Sequence, residues 1–374
     1  MNDGRCYAVM AKPAGGACNL RCDYCYYLPA AVRIGGGFYM SAEVLERYIS
    51  ENLRIHGKDA VVEFAWHGGE PTLRGADFFR RAVEIEKKYG AGRKILNTIQ
   101  TNGTLIDEEW CTFFAENNFL AGLSIDGPER LHDRYRRGEG GGSFRRALRA
   151  AELMRDFGVE FNTLTAVNAE NSAYPEELYD FLSGLTDFMQ FLPVIERVSG
   201  GVLLAPDAGG ADRKIAPFSV APEAWGDFLV RIFERWRAKD AGKKFVQNIE
   251  AAVGNMLGSP PGVCLHEMVC GHAASLEADG SLYCCDRFTD AAHRLGNIME
   301  APLDELMEKN RPFGLRKAET LSDECRACRW LPLCWGGCPK DRFANGKNYL
   351  CAGYRRFFTH AASSLRFVKN GARR

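Results

Sequence analysis

The chain has 374 residues, of which 46% are hydrophobic and 26% are charged. This balance, without a long low-complexity stretch, predicts a globular protein with one large core and a smaller appendage. The 48 Lys and Arg residues equal the 48 Asp and Glu residues, so no cationic excess favours nucleic acid or an anionic membrane as a partner. The first residues lack the apolar core of a signal peptide and no run is long enough to span a membrane, so we expect a cytoplasmic protein.

Six short apolar segments alternate with amphipathic stretches in the first half of the chain, which is typical of βα units around a parallel sheet. Helix signals lie between the segments, since Ser41 and Asp107 are suitable N-caps ahead of periodic apolar residues. This pattern predicts a partial (β/α)6 barrel. The predicted strands are residues 6–13, 60–68, 94–103, 119–127, 160–168 and 188–195.

Loops rich in Gly and Asn follow the second, third and fourth of these strands. They contain the sequences HGGEPT, QTNGT and SIDGP. In parallel α/β sheets the active site gathers at the carboxyl ends of the strands. We therefore expect the three loops to surround one mouth.

Eleven of the 14 cysteines fall into two groups separated by more than 150 residues. In a reducing compartment such clustering favours metal ligation over disulfide bonds. The first group is Cys18, Cys22 and Cys25. The second group is Cys264, Cys270, Cys285, Cys325, Cys328, Cys334, Cys338 and Cys351.

The first group has the spacing C-x3-C-x2-C directly after the first predicted strand. Three thiolates leave one iron of a 4Fe-4S cluster open, whereas electron-transfer clusters normally take four. A structural cysteine loop, or a zinc site with a distant fourth ligand, is the alternative. Together with Gly68-Gly69-Glu70-Pro71 after the second strand, the spacing resembles the radical S-adenosylmethionine (SAM) superfamily. The resemblance implies that one electron cleaves SAM to methionine and a 5'-deoxyadenosyl radical.

The same resemblance implies which residues contact SAM. Tyr24 and Ile195 would cover the adenine, and Gly68 would meet the methionine portion. Ser124 and Arg136 would reach the ribose and the carboxylate. Ordinary alternatives are a strand-end hydrogen bond for Ser124, a solvated Arg136 and core packing for Ile195. The remaining implied cofactor-binding residues are Gly69, Glu70 and Asn102.

Eight later cysteines are the number that fully ligates two 4Fe-4S clusters. Their spacing resembles the SPASM domain of peptide-modifying radical SAM enzymes, although a four-cysteine zinc site is the structural alternative. The resemblance implies two interleaved ligand sets. The first set is Cys264, Cys270, Cys285 and Cys338, and the second set is Cys325, Cys328, Cys334 and Cys351.

Cys284 and Cys285 are adjacent, and neighbours in an extended segment point to opposite faces, so only one can reach a given cluster. The family pattern places a cysteine directly before an aspartate, which favours Cys285 ahead of Asp286. Cys284 stands where the family usually has proline. We expect Cys285 to be the ligand.

A stretch rich in Gly, Pro and Ala at residues 200–221 marks the end of the first domain. We predict a radical SAM core over residues 1–221, a helical linker over 222–263, and a SPASM domain with a C-terminal helix over 264–374. The predicted fold class is α/β, a partial (β/α)6 radical SAM barrel followed by a small, irregular, cysteine-rich SPASM domain binding two Fe-S clusters. The expected cofactors are SAM and three 4Fe-4S clusters.

Longer strings spread over nearly the whole chain, among them WHGGEPTL, QFLPVIER and LCAGYRRFF, resemble the anaerobic sulfatase-maturating enzymes. That resemblance implies oxidation of a Cys or Ser to Cα-formylglycine in a Cys/Ser-x-Pro-x-Arg segment of an unfolded or nascent sulfatase. It implies Asp286 as the general base, with an ion pair to Arg287 as the structural alternative. A flavodoxin or ferredoxin would supply electrons.

Two other functions compete with this interpretation. One is a SPASM-type radical SAM enzyme that makes a thioether or carbon-carbon crosslink in another peptide. The other is a non-catalytic Fe-S protein that carries electrons or acts as a scaffold. A further hypothesis is that His67, Gln190 and Asp126 line the mouth and bind the substrate peptide, with Asp126 or Glu196 meeting its Arg.

Overall fold

The computed structural model describes residues 8–29, 39–205, 213–343 and 346–371. Its helices are short to medium in length, and none in this described part is long and apolar enough to cross a membrane. The helices are α1 (Ala42–Ile55), α2 (Ala76–Gly90), α3 (Glu108–Glu116), α4 (Glu129–His132), α5 (Phe144–Asp156), α6 (Pro175–Ser183), α7 (Pro222–Lys239), α8 (Gln247–Leu257), α9 (Leu303–Glu308), α10 (Arg311–Glu319), α11 (Asp323–Arg326), α12 (Leu331–Cys334) and α13 (Cys351–Gly371).

The strands belong to one large sheet and two small ones. They are β1 (Ala8–Ala11), β2 (Val62–Trp66), β3 (Ile95–Thr101), β4 (Phe119–Ser124), β5 (Arg137–Gly138), β6 (Gly141–Gly142), β7 (Phe161–Val167), β8 (Phe188–Pro193), β9 (Arg197–Ser199), β10 (Val202–Leu203), β11 (Lys214–Ile215), β12 (Phe245–Val246), β13 (Ala273–Leu276), β14 (Ser281–Tyr283) and β15 (Arg294–Asn297). Short 3-10 turns cover Pro71–Arg74, Asn171–Ala173, Cys264–His266, Ala291–His293 and Pro339–Asp341.

All six predicted core strands are confirmed. They are β1, β2, β3, β4, β7 and β8, and each pairs in parallel with the next in that order. Two parts of the predicted segments lie outside the described residues. They are residues 6–7 of the first strand and residues 206–212 of the Gly-rich loop. The alternation of strand and helix segments therefore predicted the barrel correctly, because in this arrangement the apolar faces of the strands and the helices are buried against each other.

Helices α1 and α3 each begin after a residue whose side chain caps the first turn. The Ser41 hydroxyl accepts a hydrogen bond from the Val44 backbone N–H at 3.3 Å, and Asp107 accepts one from the Trp110 N–H at 3.0 Å. These contacts satisfy donors that the first turn of a helix leaves open. Both predicted N-caps are thus confirmed.

The large sheet continues beyond the predicted barrel on both sides. Its order is β12-β8-β7-β4-β3-β2-β1-β13-β14-β15, with β13 parallel to β1 and β12 parallel to β8. The later strands β13, β14 and β15 form an antiparallel meander. The cysteine-rich region therefore shares both a sheet and a hydrophobic core with the barrel.

The C-terminal helix α13 packs closely on α7, and two glycines make this possible. A Cβ on Gly226 would lie 2.8 Å from the Cα of Gly353, and one on Gly353 would overlap the Pro222 carbonyl oxygen. Cys351 is the first residue of α13, so this crossing sets the position of a predicted cluster ligand.

Candidate active site

The first cysteine group lies in the loop that follows β1. The Cys25 N–H donates to the Cys22 carbonyl at 3.0 Å, and the Leu20 N–H lies 3.4 Å from the Cys18 sulfur. Burial raises the pKa of Cys18 to about 11 and that of Cys22 to about 12, and the neighbouring thiols add to both shifts. These shifts favour the neutral thiols, and a bound iron cluster would reverse them because coordination to a metal cation deprotonates a thiol.

The GGEP loop is bonded directly to the cysteine loop. The Gly69 N–H donates to the Gly15 carbonyl at 2.9 Å, and the Glu70 N–H donates to the Ala17 carbonyl at 2.8 Å. A Cβ on Gly69 would overlap Ala17, so only glycine allows the two backbones to approach this closely. These contacts join the loop after β1 to the loop after β2, so that the two loops form one continuous surface.

Glu70 connects this surface to the loop after β3. Its buried carboxylate accepts hydrogen bonds from the Thr101 hydroxyl at 2.7 Å, the Asn102 N–H at 2.7 Å, and the N–H and hydroxyl of Thr72. The Asn102 side chain in turn contacts Asn19 at 2.9 Å and lies 3.8 Å from the Cys18 sulfur. Glu70 positions the loops, a function that the sequence pattern did not reveal.

Tyr24, Asp126 and Arg136 form a buried polar group beside the cysteine loop. The Tyr24 hydroxyl donates to Asp126, and Arg136 Nη1 donates to the Tyr24 oxygen at 3.1 Å. Arg136 is 8% exposed, and its Nε has no hydrogen-bond partner among the described residues. A buried guanidinium with a spare donor fits an anionic ligand such as a carboxylate. Arg136 is therefore not the solvated surface residue of the structural alternative.

Ser124 and Ile195 lie at the ends of β4 and β8. The Ser124 hydroxyl accepts from Gln100 at 3.0 Å, which is the strand-end hydrogen bond of the structural alternative. Ile195 is 3% exposed, and its carbonyl accepts from Lys340 at 3.0 Å. Both side chains lie near the carboxyl ends of their strands, as predicted.

The residues hypothesised to meet the substrate peptide already have partners within the protein. Asp126 accepts from the Ala166 N–H at 2.9 Å as well as from Tyr24. Glu196 forms a buried ion pair with Lys340. Gln190 donates to Asn162 at 2.8 Å. Burial lowers the pKa of His67 to about 4, so His67 is neutral at physiological pH.

Asp286 follows β14 and meets the first cysteine loop across the sheet. One carboxylate oxygen accepts from the Tyr26 hydroxyl at 2.8 Å, and the other lies 3.2 Å from the Cys285 sulfur. Burial opposes ionisation, but the positive charges of Arg287 and Lys12 and the hydrogen bond from Tyr26 outweigh it and hold the pKa of Asp286 below its usual value. The carboxylate is therefore ionised at neutral pH and able to accept a proton.

A buried ion pair connects the end of β1 to the end of β13. Lys12 Nζ lies 2.9 Å from Glu277 Oε1, both side chains are 0% exposed, and the ammonium stands 3.8 Å from the centre of the Tyr27 ring. The Tyr27 hydroxyl also donates to Glu277. Sequence reasoning missed this pair because no local pattern connects residues 265 positions apart. A lysine at the end of an otherwise apolar strand was the available signal.

Three members of the first predicted auxiliary ligand set, Cys264, Cys270 and Cys338, lie near the buried ammonium of Lys317. Lys317 is 1% exposed, and its ammonium donates to the carbonyls of Cys264, Leu265 and Glu267. Burial raises the pKa of Cys270 to about 11 and that of Cys338 to about 12. Burial lowers the pKa of Lys317, and a Cys264 thiolate partly opposes this by favouring the charged ammonium. An ammonium held near three of the four thiols suits an anionic metal-thiolate cluster.

The second predicted set lines a cavity. All four sulfur-bearing residues, Cys325, Cys328, Cys334 and Cys351, face it together with the rings of Trp330, Tyr354 and Phe358. The Gly336 N–H lies 3.3 Å from the Cys334 sulfur, a contact that suits a thiolate acceptor. Four thiols around one largely apolar space fit a fully ligated cluster.

Known proteins show the same two-part organisation. Residues 13–182 match the radical SAM superfamily, and residues 264–329 match the SPASM iron-sulfur cluster-binding domain. In its backbone the chain resembles a solved structure, "Native anSMEcpe with bound AdoMet", with a TM-score of 0.86 and 31% identity. That match covers 97% of this chain and 99% of the other.

Curated relatives extend over the same length. A serine-type anaerobic sulfatase-maturating enzyme of Bacteroides thetaiotaomicron is 42% identical over 96% of this chain and 91% of its own. A cysteine-type enzyme of Clostridium perfringens is 32% identical over 97% of this chain and 98% of its own. The chain therefore belongs to the anaerobic sulfatase-maturating enzymes, SAM- and Fe-S-dependent radical enzymes with a SPASM domain that form formylglycine.

Proposed function

We propose that this protein oxidises a Cys or Ser in a sulfatase-type Cys/Ser-x-Pro-x-Arg segment to Cα-formylglycine, with Asp286 as the general base. The observation that carries the proposal is the contact between Asp286 and Tyr26, which joins the SPASM region to the loop of the first cysteine group. Relatives named as serine-type and cysteine-type enzymes support both substrates. A related solved structure that holds a peptide named Cp18Cys supports a peptide substrate.

The first cluster is assigned to Cys18, Cys22 and Cys25, and SAM to the loops around them. When bound, SAM and this cluster supply the radical that removes a hydrogen from the substrate Cβ. The spare donor of Arg136 supports a contact with the SAM carboxylate. The remaining residues assigned to SAM are Tyr24, Gly68, Gly69, Glu70, Asn102, Ser124 and Ile195.

Asp286 would take the proton of the substrate thiol or hydroxyl. Tyr26 fixes one carboxylate oxygen, and the charge of Arg287 keeps the group ionised. The contact of the other oxygen with Cys285 keeps the base next to the first auxiliary ligand set. Orientation and charge together meet the requirements of a general base.

The two auxiliary clusters are assigned to the interleaved sets, Cys264, Cys270, Cys285 and Cys338, and Cys325, Cys328, Cys334 and Cys351. The buried Lys317 supports the first set, and the shared cavity supports the second. Cys284 packs in the hydrophobic core at 4% exposure, which favours Cys285 as the ligand.

The functional division of the chain is proposed as core 1–221, linker 222–263 and SPASM domain 264–374. The partners are an unfolded or nascent sulfatase and a flavodoxin or ferredoxin as electron donor, in the cytoplasm. We propose no nucleic-acid partner, because the balanced charge of the chain leaves no cationic excess to bind phosphates.

Anaerobic reconstitution with iron and sulfide, followed by SAM, a reductant and peptides bearing Cys-x-Pro-x-Arg or Ser-x-Pro-x-Arg, tests the function. Mass spectrometry should show formylglycine in the peptide together with 5'-deoxyadenosine. A crosslinked or unchanged peptide alongside deoxyadenosine would reject the maturase function, and the absence of deoxyadenosine would indicate a scaffold. About 12 iron atoms per chain are expected for three 4Fe-4S clusters. About 4 iron atoms per chain together with zinc are expected if the later cysteines bind zinc instead.

A further inference from the structure

An unusually basic surface lies beside the first cysteine loop. Residues 134–149 contain six arginines and one glutamate in a chain with no net charge. Arg136 is the buried member, and the others are exposed. We use the name basic patch for the exposed arginines Arg21, Arg134, Arg137, Arg146 and Arg149.

Hydrogen bonds attach this patch to the back of the cysteine loop. The Arg21 N–H, between Cys18 and Cys22, donates to the Arg137 carbonyl at 2.7 Å. A Cβ on Gly138 would lie 2.8 Å from the Asn19 carbonyl oxygen and 3.9 Å from Arg146 Nη2. The patch therefore lies one layer of backbone away from the residues that carry the first group of thiols.

The nearby acidic residues neutralise only part of the patch. Asp23 pairs with Arg137 at 3.1 Å, and Glu129 pairs with Arg145 at 3.2 Å. Asp133 accepts from the backbone N–H groups of Ser143 and Phe144. No ion pair between the described residues involves the other four arginines of the patch, and Glu139 is the one acidic residue between positions 134 and 149. A local excess of this kind attracts an acidic partner and accelerates its association.

We propose that the basic patch is the docking surface for an acidic, low-potential one-electron carrier of the flavodoxin type. The proposal rests on the proposed function, because the first cluster must gain one electron for each SAM cleaved. The anionic flavin hydroquinone of the carrier would give that electron and become the neutral semiquinone, so no proton moves. A carrier seated here would lie against segments 19–21 and 137–138, the first of which belongs to the loop that carries the thiols.

The charge-reversal variant Arg134→Glu/Arg146→Glu tests the docking surface in the reconstituted enzyme. We expect reduction of the first cluster by flavodoxin hydroquinone, followed by stopped-flow absorbance, to slow at least about ten-fold at low ionic strength. The difference should shrink as salt is added, since screening weakens the attraction. Deoxyadenosine formation with dithionite, a small reductant that needs no docking surface, should change by less than about two-fold.

Two matched variants separate charge from folding. Arg134→Lys/Arg146→Lys keeps the charge, and flavodoxin hydroquinone should reduce the first cluster of this variant as fast as that of the wild type. Lys58→Glu/Lys87→Glu makes the same charge change on exposed residues before β2 and β3, at the opposite end of the sheet, and should also react normally. Equal flavodoxin rates for the charge-reversed patch and the wild type would overturn the proposal, even if dithionite supports full peptide oxidation. Loss of peptide oxidation with dithionite in the wild type would instead reject the proposed function.

Discussion

Asp286 is held by residues from opposite ends of the chain. Tyr26 donates to it from the loop after β1, and Lys12 contributes positive charge from the same loop. Cys285 and Arg287 flank it in sequence. The sequence could offer Asp286 as a candidate through resemblance alone, whereas its ionisation depends on Lys12 and Tyr26, more than 200 residues away, as well as on the adjacent Arg287.

Replacing Asp286→Asn should separate radical formation from product formation. Asn keeps the size of the side chain and can still accept the Tyr26 hydrogen bond, but it cannot take a proton. We expect 5'-deoxyadenosine to form while aldehyde formation slows roughly 10²- to 10⁴-fold, measured by mass spectrometry under single turnover. Asp323→Asn, an exposed carboxylate near Cys325, is the control. Equal aldehyde rates in the two variants would remove Asp286 from proton transfer.

Glu86, a buried carboxyl on α2, makes the stability of the fold depend on pH. Burial raises its pKa from 4.5 to about 7, although Asn97 donates to it at 2.9 Å. The unfolded chain ionises first, so the free energy of unfolding falls between about pH 4.5 and pH 7 and stays lower above that range. Glu86→Gln should remove this loss and stabilise the protein above about pH 7 by up to about 3 kcal/mol.

Thermal unfolding of the wild type and the variant at about pH 5 and about pH 8 measures this difference. The exposed Glu84 of the same helix provides the control variant Glu84→Gln. A stability gain for Glu86→Gln that is the same at both pH values would contradict the assigned role of its ionisation.

At the scale of elements, the crossing of α7 and α13 positions Cys351, a member of the proposed second auxiliary ligand set. Gly353→Ala would push α13 away from Pro222 and move Cys351, two residues earlier, relative to the other three cysteines. We expect a loss of about 1–3 kcal/mol in stability. Iron should fall from about 12 to about 8 atoms per chain after reconstitution.

The neighbouring exposed residue offers a matched control for this element. Ala352→Ser adds a similar volume on the outer face of α13 and should retain all iron. Full iron content in Gly353→Ala would show that the helix crossing does not set the position of Cys351.

For the whole molecule, the strand pair β1 and β13 decides whether the barrel can exist without the cysteine-rich region. A chain ending at residue 263 would expose the edge of β1 and leave the buried Lys12 without Glu277. An uncompensated buried charge alone costs about 3–5 kcal/mol. We expect the truncated chain to aggregate and to lose the first cluster, as judged by size-exclusion chromatography and iron content.

A full-length variant distinguishes lost strands from a lost cluster. Cys325→Ala/Cys328→Ala removes two ligands of the second auxiliary set but keeps β13, β14 and β15. This variant should remain monodisperse and retain the first cluster. A truncated chain that stays folded and binds iron at the first group would show that the barrel is independent.

The sequence by itself determined the local chemistry of this protein. Strand and helix periodicity predicted the six parallel strands, and the spacing of Cys18, Cys22 and Cys25 indicated a 4Fe-4S cluster with one open iron. The resemblance of this spacing and of the GGEP loop to a known superfamily implied SAM. These signals are local, because each depends on residues within one element or one loop. The resemblance of longer strings predicted the family.

Only the tertiary structure decided how these parts act together. The continuation of the sheet through β13, the ion pair of Lys12 with Glu277 and the hydrogen bond from Tyr26 to Asp286 each connect residues at least 250 positions apart. No short pattern records such contacts, because burial and pairing energies depend on what packs alongside each group. The sequence predicted the components of the site, and the fold brought Asp286 to the loop that carries Cys18, Cys22 and Cys25.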